Sequence, residues 1–434
     1  MSADWLGSSN APLRGEISVP GDKSISHRAM MLGGIAEGLT RVNGFLEGED
    51  TRATAAILGK LGVRIEASGP GVRHVHGVGL HGLRSFAGDL DCGNAGTGMR
   101  LFAGLLSGQS FDSVLVGDES LSRRPMARVI EPLSRMGAQI EARDGTFSPL
   151  IIHANNSLQA IEYKAKIPSA QVKSAILLAG LSARGETTVI EPQPTRDYTE
   201  RMLSALGWPV RFGEGRVSLT GGHRLQGGDI EVPSDFSSAA FFLVAATLVP
   251  DSDLLVRGVG MNPRRTGLLS ALRLMGADIS EHGARLQGGE PVADLRIRSA
   301  ALAGVDIPPG LVADMIDEIP VLLVAAACAS GTTRITGAAE LRVKESDRLA
   351  AMAGALSRLG VRLSESADGA IVEGGAIRSG EVDSLGDHRI AMSMAVASQM
   401  STGTVRVRDC ANVDTSFPGF LELARSCGFA LAAA

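Results

Sequence analysis

The chain has 434 residues, of which 44% are hydrophobic and 21% are charged, and its formal net charge is -5. This length allows two or more domains with large buried cores, and the composition is typical of a globular protein. The slightly acidic balance excludes a dedicated nucleic-acid binder, which would carry a basic excess, so any binding of anions must be local.

Cysteine usage indicates the compartment. The four cysteines are far apart in sequence and form no C-x-x-C pair: Cys92, Cys328, Cys410 and Cys427. This pattern fits neither a disulfide framework nor a zinc site and favours a reducing compartment.

The apolar runs and the N-terminus predict neither a membrane span nor a targeting peptide. The longest runs, around residues 241–249 and 321–329, are well short of the roughly 18 residues that cross a bilayer, so they predict buried helices. The first ten residues lack the features of a secretory signal or a transit peptide. We therefore expect a cytoplasmic protein with neither a membrane nor a nucleic-acid partner.

The first element rich in functional side chains is the stretch 20–28, Pro-Gly-Asp-Lys-Ser-Ile-Ser-His-Arg. Residues 15–20 predict a short strand, Gly21 and Asp22 predict a turn, and residues 29–36 predict the first turns of a buried helix. The stretch thus lies where a strand passes into a helix.

Its cations make this stretch a candidate anion site. The N-terminal end of a helix attracts phosphate or carboxylate, and Lys23 and Arg28 add full charges. An ordinary solvated turn is the alternative. A nucleotide P-loop is excluded, because Asp22 stands between Gly21 and the lysine.

Further along the chain, a helix end, a turn and a strand start recur six times. Each copy ends a helix with a Leu-x-x-Φ-Gly pattern or a weaker version of it, and the glycines lie 68 to 84 residues apart. The glycines are Gly62, Gly137, Gly207, Gly276, Gly360 and Gly428. A second signal about 25 residues upstream of each glycine closes an apolar helix and opens a strand.

The two signals together predict an α/β protein of six βαβαββ repeats, grouped three and three into two domains. The stretch 227–234 is the best candidate boundary. The first domain is predicted to span residues 20–233, and the second to combine residues 1–19 with 234–434.

Polar side chains fall at two equivalent places in the repeats, the helix starts and the loops that follow the first inner strands. The first three helix starts carry donors and cations: Lys23, Ser24, Arg28, Asn94, Gly96, Thr97, Arg100, Ser169, Ala170, Gln171 and Lys173. The last three bring carboxylates and further polar groups: Asp235, Ser237, Asp314, Asp317, Glu318, Asp387, His388 and Arg389.

The loops are mainly cationic: Arg52, Arg123, Arg124, Arg196, Arg264, Arg265, Arg342, Lys344 and Arg348. If equivalent positions converge on a space between the halves, the ligand must be strongly anionic, with more than one acidic group.

Structural alternatives remain open for single residues. Asp235 and Asp314 are also explained as helix N-caps, and Asp387 as a cap after a turn. Residues 344–348 are also explained as a solvated helix surface with ion pairs.

Seven segments taken together resemble the EPSP synthase family, the 3-phosphoshikimate 1-carboxyvinyltransferases among the enolpyruvyl transferases. The segments are 21–28, 93–97, 124–125, 169–171, 317–318, 341–348 and 387–389. They occur in order over nearly the whole chain. The resemblance implies two inverse α/β domains of three repeats each, with the active site in the cleft between them.

The implied reaction transfers the enolpyruvyl group of phosphoenolpyruvate to the 5-hydroxyl of shikimate 3-phosphate and releases phosphate. No cofactor or metal is expected, and we expect a monomer. By resemblance, shikimate 3-phosphate is bound by Lys23, Ser24, Arg28, Ser169, Ala170, Gln171, Arg196, Asp317 and Lys344. Phosphoenolpyruvate is bound by Lys23, Asn94, Gly96, Arg124, Gln171, Arg348 and Arg389.

Addition followed by elimination requires groups that move protons. Two carboxylates in different environments can divide that work, with Asp317 taking the hydroxyl proton and Glu345 serving the methylene carbon. Lys23, Lys344 and His388 are expected to stabilise charge beside them.

Three positions depart from the commonest family pattern. Ala170 replaces a serine, Arg196 replaces a tyrosine, and Thr415 occupies the place of a C-terminal lysine. Together with the 21–28 motif and the Thr195-Arg196 pair, these features resemble the second class of the family.

Two other functions remain as alternatives. The first is the sister transferase that acts on UDP-N-acetylglucosamine, whose usual cysteine is missing from the loop 117–124 here. The second is a non-catalytic anion-binding repeat protein in which the acidic residues are only caps.

Overall fold

A computed structural model describes residues 4–9 and 11–434. The chain divides into two compact units, and each is described by itself. We call the unit formed by residues 21–232 and 287–290 the N-terminal unit. The C-terminal unit contains the described residues up to Pro20 together with residues 233–286 and 291–434.

The strands are short and are distributed along the whole chain. They are β1 (Trp5–Ser8), β2 (Arg14–Ile17), β3 (Glu37–Asn43), β4 (Arg64–Gly69), β5 (Val72–Val78), β6 (Asp89–Asp91), β7 (Ser113–Val116), β8 (Ile140–Arg143), β9 (Phe147–Ile152), β10 (Glu162–Lys164), β11 (Glu186–Ile190), β12 (Val210–Gly213), β13 (Arg216–Thr220), β14 (Asp229–Glu231), β15 (Asp253–Gly260), β16 (Asp278–Gln287), β17 (Glu290–Arg298), β18 (Thr332–Ile335), β19 (Arg362–Ser366), β20 (Gly369–Glu373), β21 (Gly380–Asp383), β22 (Val405–Arg408) and β23 (Ala430–Ala433).

The α-helices alternate with these strands. They are α1 (Lys23–Ile35), α2 (Glu49–Lys60), α3 (Gly96–Leu106), α4 (Ala127–Arg135), α5 (Ala170–Gly180), α6 (Tyr198–Ala205), α7 (Phe236–Leu248), α8 (Gly267–Leu274), α9 (Pro309–Val312), α10 (Ile319–Cys328), α11 (Arg348–Arg358), α12 (His388–Ser398) and α13 (Phe420–Ser426). Short 3-10 segments span Leu121–Arg123, Ala313–Glu318, Ala339–Val343 and Ala411–Thr415.

Five of the sheets in the described chain share one pattern, in which a parallel pair of strands is extended by antiparallel strands, whereas the sheet of β18, β20 and β19 is antiparallel throughout. In the second repeat β6 pairs in parallel with β7, and β9 then pairs antiparallel with β7 and with β8. In chain order this repeat reads β6, α3, β7, α4, β8, β9, which is the predicted βαβαββ unit. The third repeat, from β10 to β13, has the same order and pairing.

Two repeats take their first strand from a distant part of the chain. β14 pairs in parallel with β3 of the first repeat, and β2 pairs in parallel with β15 of the fourth. The strand predicted around residues 15–20 therefore exists as β2 and belongs to a sheet of the C-terminal unit.

The six predicted turn glycines all have the left-handed backbone that the pattern requires. Their φ angles lie between 83° and 116°, the region that side-chain-bearing residues rarely adopt. Each glycine therefore ends an outer helix and releases the chain into the next strand or loop.

Each unit has its own hydrophobic core around three inner helices, α1, α3 and α5 in one and α7, α10 and α12 in the other. The two long apolar runs lie in α7 and α10, as predicted. No helix within residues 4–9 and 11–434 is long and apolar enough to cross a membrane.

The inner helices approach each other closely. A Cβ atom added at Gly104 of α3 would lie 2.1 Å from the carbonyl oxygen of Ala175 in α5, so this crossing requires glycine. The crossing sets the separation between the first turns of the two helices, which carry predicted site residues.

Candidate active site

The stretch 20–28 forms a helix start, and its helix begins six residues earlier than predicted. α1 starts at Lys23 instead of residue 29, because the Asp22 carboxylate accepts a hydrogen bond from the backbone N–H of Ile25 at 2.9 Å. The solvated-turn alternative is therefore wrong. Lys23 and Ser24 are half-buried in the first turn, and Lys23 Nζ lies 2.9 Å from Asp50 Oδ2.

Arg28 lies in the second turn of α1 and is almost fully buried. Its guanidinium donates to Thr199 Oγ1 at 2.7 Å, to Ser174 Oγ at 2.7 Å and to the carbonyl oxygen of Ser24 at 2.8 Å. Burial lowers the pKa of Arg28 to about 10 against the opposing charges of Glu200 and Asp22, so the side chain stays cationic at neutral pH. It joins the start of α1 to those of α5 and α6.

Arg124 is held against the start of α3. Its guanidinium donates to the Asn94 side-chain oxygen, to the Asn94 carbonyl oxygen at 3.3 Å and to Ser120 Oγ at 3.1 Å. A Cβ atom on Gly96 would lie 3.2 Å from Nη1 of both Arg100 and Arg124. Gly96 therefore lets two guanidinium groups approach the helix end, where an anion is favoured.

Gln171 connects this group with α5. Its Oε1 accepts a hydrogen bond from Arg100 Nη1 at 2.6 Å, and its Nε2 donates to Thr97 Oγ1 at 2.9 Å. Ser169 caps α5 by accepting from the backbone N–H of Val172, and the Ala170 carbonyl oxygen accepts from Ser174 Oγ at 2.7 Å. The structure thus gathers the predicted side chains of the N-terminal unit around the starts of α1, α3 and α5.

In the C-terminal unit, three cations surround the carboxylate of Asp317. Lys344 Nζ lies 3.2 Å and Arg348 Nη1 3.5 Å from Oδ1, while Arg265 Nη1 lies 3.5 Å from Oδ2. The Asp317 side chain keeps 13% of its surface exposed, so a ligand can reach it. A carboxylate in this position can accept a hydrogen bond or a proton from a neighbouring hydroxyl.

Arg348 is at the centre of a buried ion-pair network. Only 1% of its side chain is exposed, and it pairs with Asp387 Oδ2 at 2.8 Å and with Glu345 Oε2 at 2.7 Å. Burial disfavours the charged form of Asp387, but the adjacent Arg348 holds the pKa of that carboxyl below its ordinary value. The solvated-surface alternative for residues 344–348 is therefore wrong.

The start of α12 supplies the remaining predicted residues. Asp387 caps this helix by accepting from the Arg389 N–H at 2.9 Å, so the cap and the ion pair use the same carboxylate. His388 is buried beside it in the first turn. Arg389 Nη1 donates to the Asp317 carbonyl oxygen at 3.0 Å and lies 3.5 Å from Glu318 Oε1.

The model of the family described as EPSP synthase (3-phosphoshikimate 1-carboxyvinyltransferase) matches residues 8–423. The chain belongs to the EPSP synthase family.

Relatives and solved structures of the EPSP synthase family cover almost the whole chain. A 3-phosphoshikimate 1-carboxyvinyltransferase of Xanthomonas oryzae pv. oryzae (strain PXO99A) is 61% identical over 430 residues, covering 99% of this chain and 98% of the relative. One of Xanthomonas campestris pv. campestris (strain B100) is 60% identical over 429 residues, with the same coverage.

A solved EPSP synthase structure from Acinetobacter baumannii, at 2.37 Å, is 47% identical to this chain. It matches with a TM-score of 0.90 and covers 100% of both chains. This similarity and the sheet pattern confirm the predicted fold class.

Three buried residues near the site had no role assigned from the sequence. Arg100 holds Gln171, Arg265 lies against Asp317, and Glu318 pairs with Arg265 at 3.2 Å while accepting from Ser237 Oγ. Their positions in the repeat could have identified them as site residues, because all three fall at helix starts or in the cationic loops.

Four other predicted positions lie next to a helix start or in a 3-10 segment. Asp235 caps α7 through the Ser237 N–H, as its alternative proposed, whereas Asp314 lies within a 3-10 segment, 3.6 Å from Arg264. Arg196 is half-buried just before α6. Thr415 ends the segment Ala411–Thr415, and its hydroxyl donates to the Asn412 carbonyl oxygen at 2.7 Å.

Within the described ranges, no group of three or more His, Cys, Asp or Glu side chains is arranged to hold a metal ion. The four cysteines, all in the described part of the chain, form no disulfide, and burial raises the pKa of Cys328, Cys410 and Cys427 to about 12.

Proposed function

We infer that this chain transfers the enolpyruvyl group of phosphoenolpyruvate to the 5-hydroxyl of shikimate 3-phosphate and releases phosphate. The observation that carries this inference is 61% identity, over 99% of the chain, with curated 3-phosphoshikimate 1-carboxyvinyltransferases. The activity places the enzyme in the shikimate pathway, which leads to chorismate and the aromatic amino acids.

Both substrates carry a phosphate and a carboxylate, which accounts for the cations on the helix starts. We propose that Arg28, Lys23, Ser24 and Arg196 bind shikimate 3-phosphate together with the α5 start, 169–171. The contacts that support this are the hydrogen bonds of Arg28 to Ser24 and Ser174, which place its charge beside the α5 start. Planar guanidinium groups suit the paired oxygens of phosphate and carboxylate.

Phosphoenolpyruvate is proposed to bind Arg124, Asn94 and Gly96 at the start of α3, with Lys23 and Gln171 shared between the substrates. The proximity of Arg100 and Arg124 to Gly96 supports this assignment. In the C-terminal unit, Arg348 and Arg389 complete the phosphoenolpyruvate set, while Asp317 and Lys344 complete the shikimate set.

The first chemical step joins the two substrates. Asp317 accepts the proton of the 5-hydroxyl as the hydroxyl oxygen attacks C2 of phosphoenolpyruvate, and a proton adds to the C3 methylene, which becomes a methyl group. Lys344, Arg348 and Arg265, which surround Asp317, stabilise negative charge on the hydroxyl oxygen as its proton leaves. Lys23 and His388 are proposed to contribute to the same stabilisation.

The second step reverses the proton transfer at carbon. A base removes one hydrogen of the methyl group, the C2–C3 double bond forms again, and phosphate leaves from C2. We propose Glu345 as the group that donates the proton at C3 and later removes one.

The pairing of Glu345 with Arg348 bears on this role. Arg348 Nη2 donates to Glu345 Oε2 at 2.7 Å, and a charge-assisted hydrogen bond of this kind stabilises a carboxylate. When the carboxylate of phosphoenolpyruvate binds Arg348, it competes for that guanidinium, and Glu345 can then take up the proton that it delivers to C3.

Location and assembly are also proposals. We propose a monomer, and we propose that it is cytoplasmic because the four cysteines of the described chain form no disulfide, which suits a reducing compartment.

Phosphate release tests the proposed function. Purified protein should release phosphate from phosphoenolpyruvate when shikimate 3-phosphate is present, but not from either substrate alone. Release only when UDP-N-acetylglucosamine replaces shikimate 3-phosphate would assign the chain to the sister transferase. Binding of both ligands by calorimetry without any release would leave the non-catalytic alternative.

A further inference from the structure

A buried lysine with two buried carboxylates lies beneath the α5 and α6 starts. Lys173 Nζ is 2.8 Å from Glu191 Oε2, 2.9 Å from Glu200 Oε1 and 3.2 Å from the Thr195 carbonyl oxygen. These three acceptors match the three N–H groups of an ammonium ion. We call Lys173, Glu191, Thr195 and Glu200 the Lys173 cluster.

The charges of the Lys173 cluster are almost completely shielded from water. Lys173 has 3% of its side chain exposed, Glu191 4% and Glu200 2%. Burial raises the pKa of Glu200, whereas the two carboxylates raise the pKa of Lys173 despite its burial. Buried ion pairs give little net stability compared with apolar side chains of similar size. We therefore ask which neighbouring groups the Lys173 cluster holds in position.

The group fixed most directly is the backbone beside Arg196. The Thr195 N–H donates to Glu191 Oε2 at 3.3 Å, the Thr195 hydroxyl donates to Glu191 Oε1, and the Thr195 carbonyl oxygen accepts from Lys173. All the polar groups of Thr195 are therefore bound within the Lys173 cluster. Because Arg196 is the next residue, its Cα position follows from these bonds.

The same cluster also supports Arg28. Ser174 and Thr199, the sequence neighbours of Lys173 and Glu200, accept the hydrogen bonds of the Arg28 guanidinium. The negative charge of Glu200 opposes the effect of burial on the pKa of Arg28. The cluster thus acts on two cations that are separated by 168 positions in the sequence.

We propose that Lys173 and Glu191 are positioning residues that set Arg196 and Arg28 for binding of shikimate 3-phosphate. This inference rests on the proposed function, which assigns those two cations to that substrate. Arg124, assigned to phosphoenolpyruvate, is held by Asn94 and Ser120 instead. Loss of the Lys173 cluster should therefore weaken the binding of one substrate more than the other.

The test compares Thr195→Val with Thr195→Ser. Lys173→Met would leave two buried carboxylates without their cation and risks unfolding the protein. Thr195→Val keeps the side-chain shape and all three charges and removes only the hydroxyl that donates to Glu191, whereas Thr195→Ser keeps that hydroxyl. Both variants and the wild-type enzyme would be assayed for KM of each substrate, with titration of shikimate 3-phosphate alone by calorimetry.

Thr195→Val should raise KM and Kd for shikimate 3-phosphate about tenfold, since it loses a hydrogen bond to a charged group. Its KM for phosphoenolpyruvate should stay within about twofold, and Thr195→Ser should restore both constants because it retains the donor. An equal rise in both KM values, or no rise in either, would overturn the inference. Failure of the wild-type enzyme to turn over the two substrates would overturn the proposed function instead.

Discussion

Replacing Asp387 with asparagine perturbs the buried network around Arg348 with almost no change in shape. The carboxylate accepts four hydrogen bonds: from Arg348 Nε at 2.8 Å and Nη2 at 3.2 Å, from Ser346 Oγ at 2.9 Å and from the Arg389 N–H at 2.9 Å. Asparagine can keep the two bonds at Oδ1, but its NH2 group would face the donors Arg348 Nε and Ser346 Oγ. The variant therefore removes the fully buried carboxylate beside the Arg348 guanidinium and leaves the more exposed Glu345 and Asp317 as its negative partners.

The expected cost is about 3 kcal/mol of unfolding free energy, the lower part of the range for breaking a buried ion pair, because two hydrogen bonds remain. Urea denaturation followed by circular dichroism would measure it. Turnover should fall too, since Arg348 and Arg389 both depend on Asp387 for their positions.

Asp347→Asn is the matched control. Asp347 also caps a helix, through the Ala350 N–H at 3.0 Å, and pairs with Arg342 at 2.7 Å, but 39% of its side chain is exposed. Asparagine is a good cap and exposed ion pairs are weak, so the loss should be under about 1 kcal/mol. Equal losses in the two variants would refute the assignment of the Asp387 effect to burial of the pair.

The pH dependence gives a second check on Asp387. Its native pKa is held below the ordinary value of 3.8, so its stabilising effect is present above that value and is lost as the pH falls through the lower native pKa. The difference between the wild-type enzyme and Asp387→Asn should be constant from about pH 7 to pH 5 and should shrink below about pH 4. A difference that grows on acidification would contradict this.

Three further predictions concern separate parts of the molecule. Asp317→Asn should bind both substrates in calorimetry but lose turnover, and unchanged turnover would remove Asp317 from the mechanism. Arg124→Ala should mainly raise KM for phosphoenolpyruvate. Gly104→Ala, whose Cβ would meet an α5 carbonyl oxygen at 2.1 Å, should lower the unfolding free energy by about 1–3 kcal/mol, whereas Gly354→Ala, with no atom within 4 Å, should be neutral or stabilising. Burial, aided by Lys23 and Arg28, lowers the pKa of His27 to about 3, so His27 stays neutral in the native state and the unfolding free energy should fall as the pH drops below the ordinary pKa of 6.5. His27→Gln should reduce the slope of unfolding free energy against pH by up to about 1.4 kcal/mol per pH unit. Identical slopes in the variant and the wild-type protein would exclude the effect.

The fold was largely predictable because its signals are local. A Leu-x-x-Φ-Gly sequence specifies a helix end and a left-handed turn within five residues, and all six glycines adopt that turn. The start of α1 was misplaced because its first turns are polar. Asp22 caps a helix whose polar first residues resemble a loop in a search for apolar periodicity.

The site was less predictable because its contacts join distant segments. Arg100 meets Gln171 across 71 positions, and Arg265 meets Asp317 across 52. The run 344–348 resembled an exposed helix surface because its main partner, Asp387, lies 39 residues after Arg348. Helix starts indicated where charge collects, but not which side chains are bound to one another.

Incorporation of deuterium from the solvent is the most direct test of the central claim. That claim is that addition is followed by elimination and that Glu345 donates a proton to C3 and later removes one. Turnover in D2O passes through a methyl group formed with one solvent deuteron, so mass spectrometry should find deuterium at the vinyl carbon of the product. Glu345→Gln should still bind both substrates and should incorporate deuterium far more slowly. A product that forms at the normal rate without deuterium, or normal incorporation by Glu345→Gln, would contradict the account.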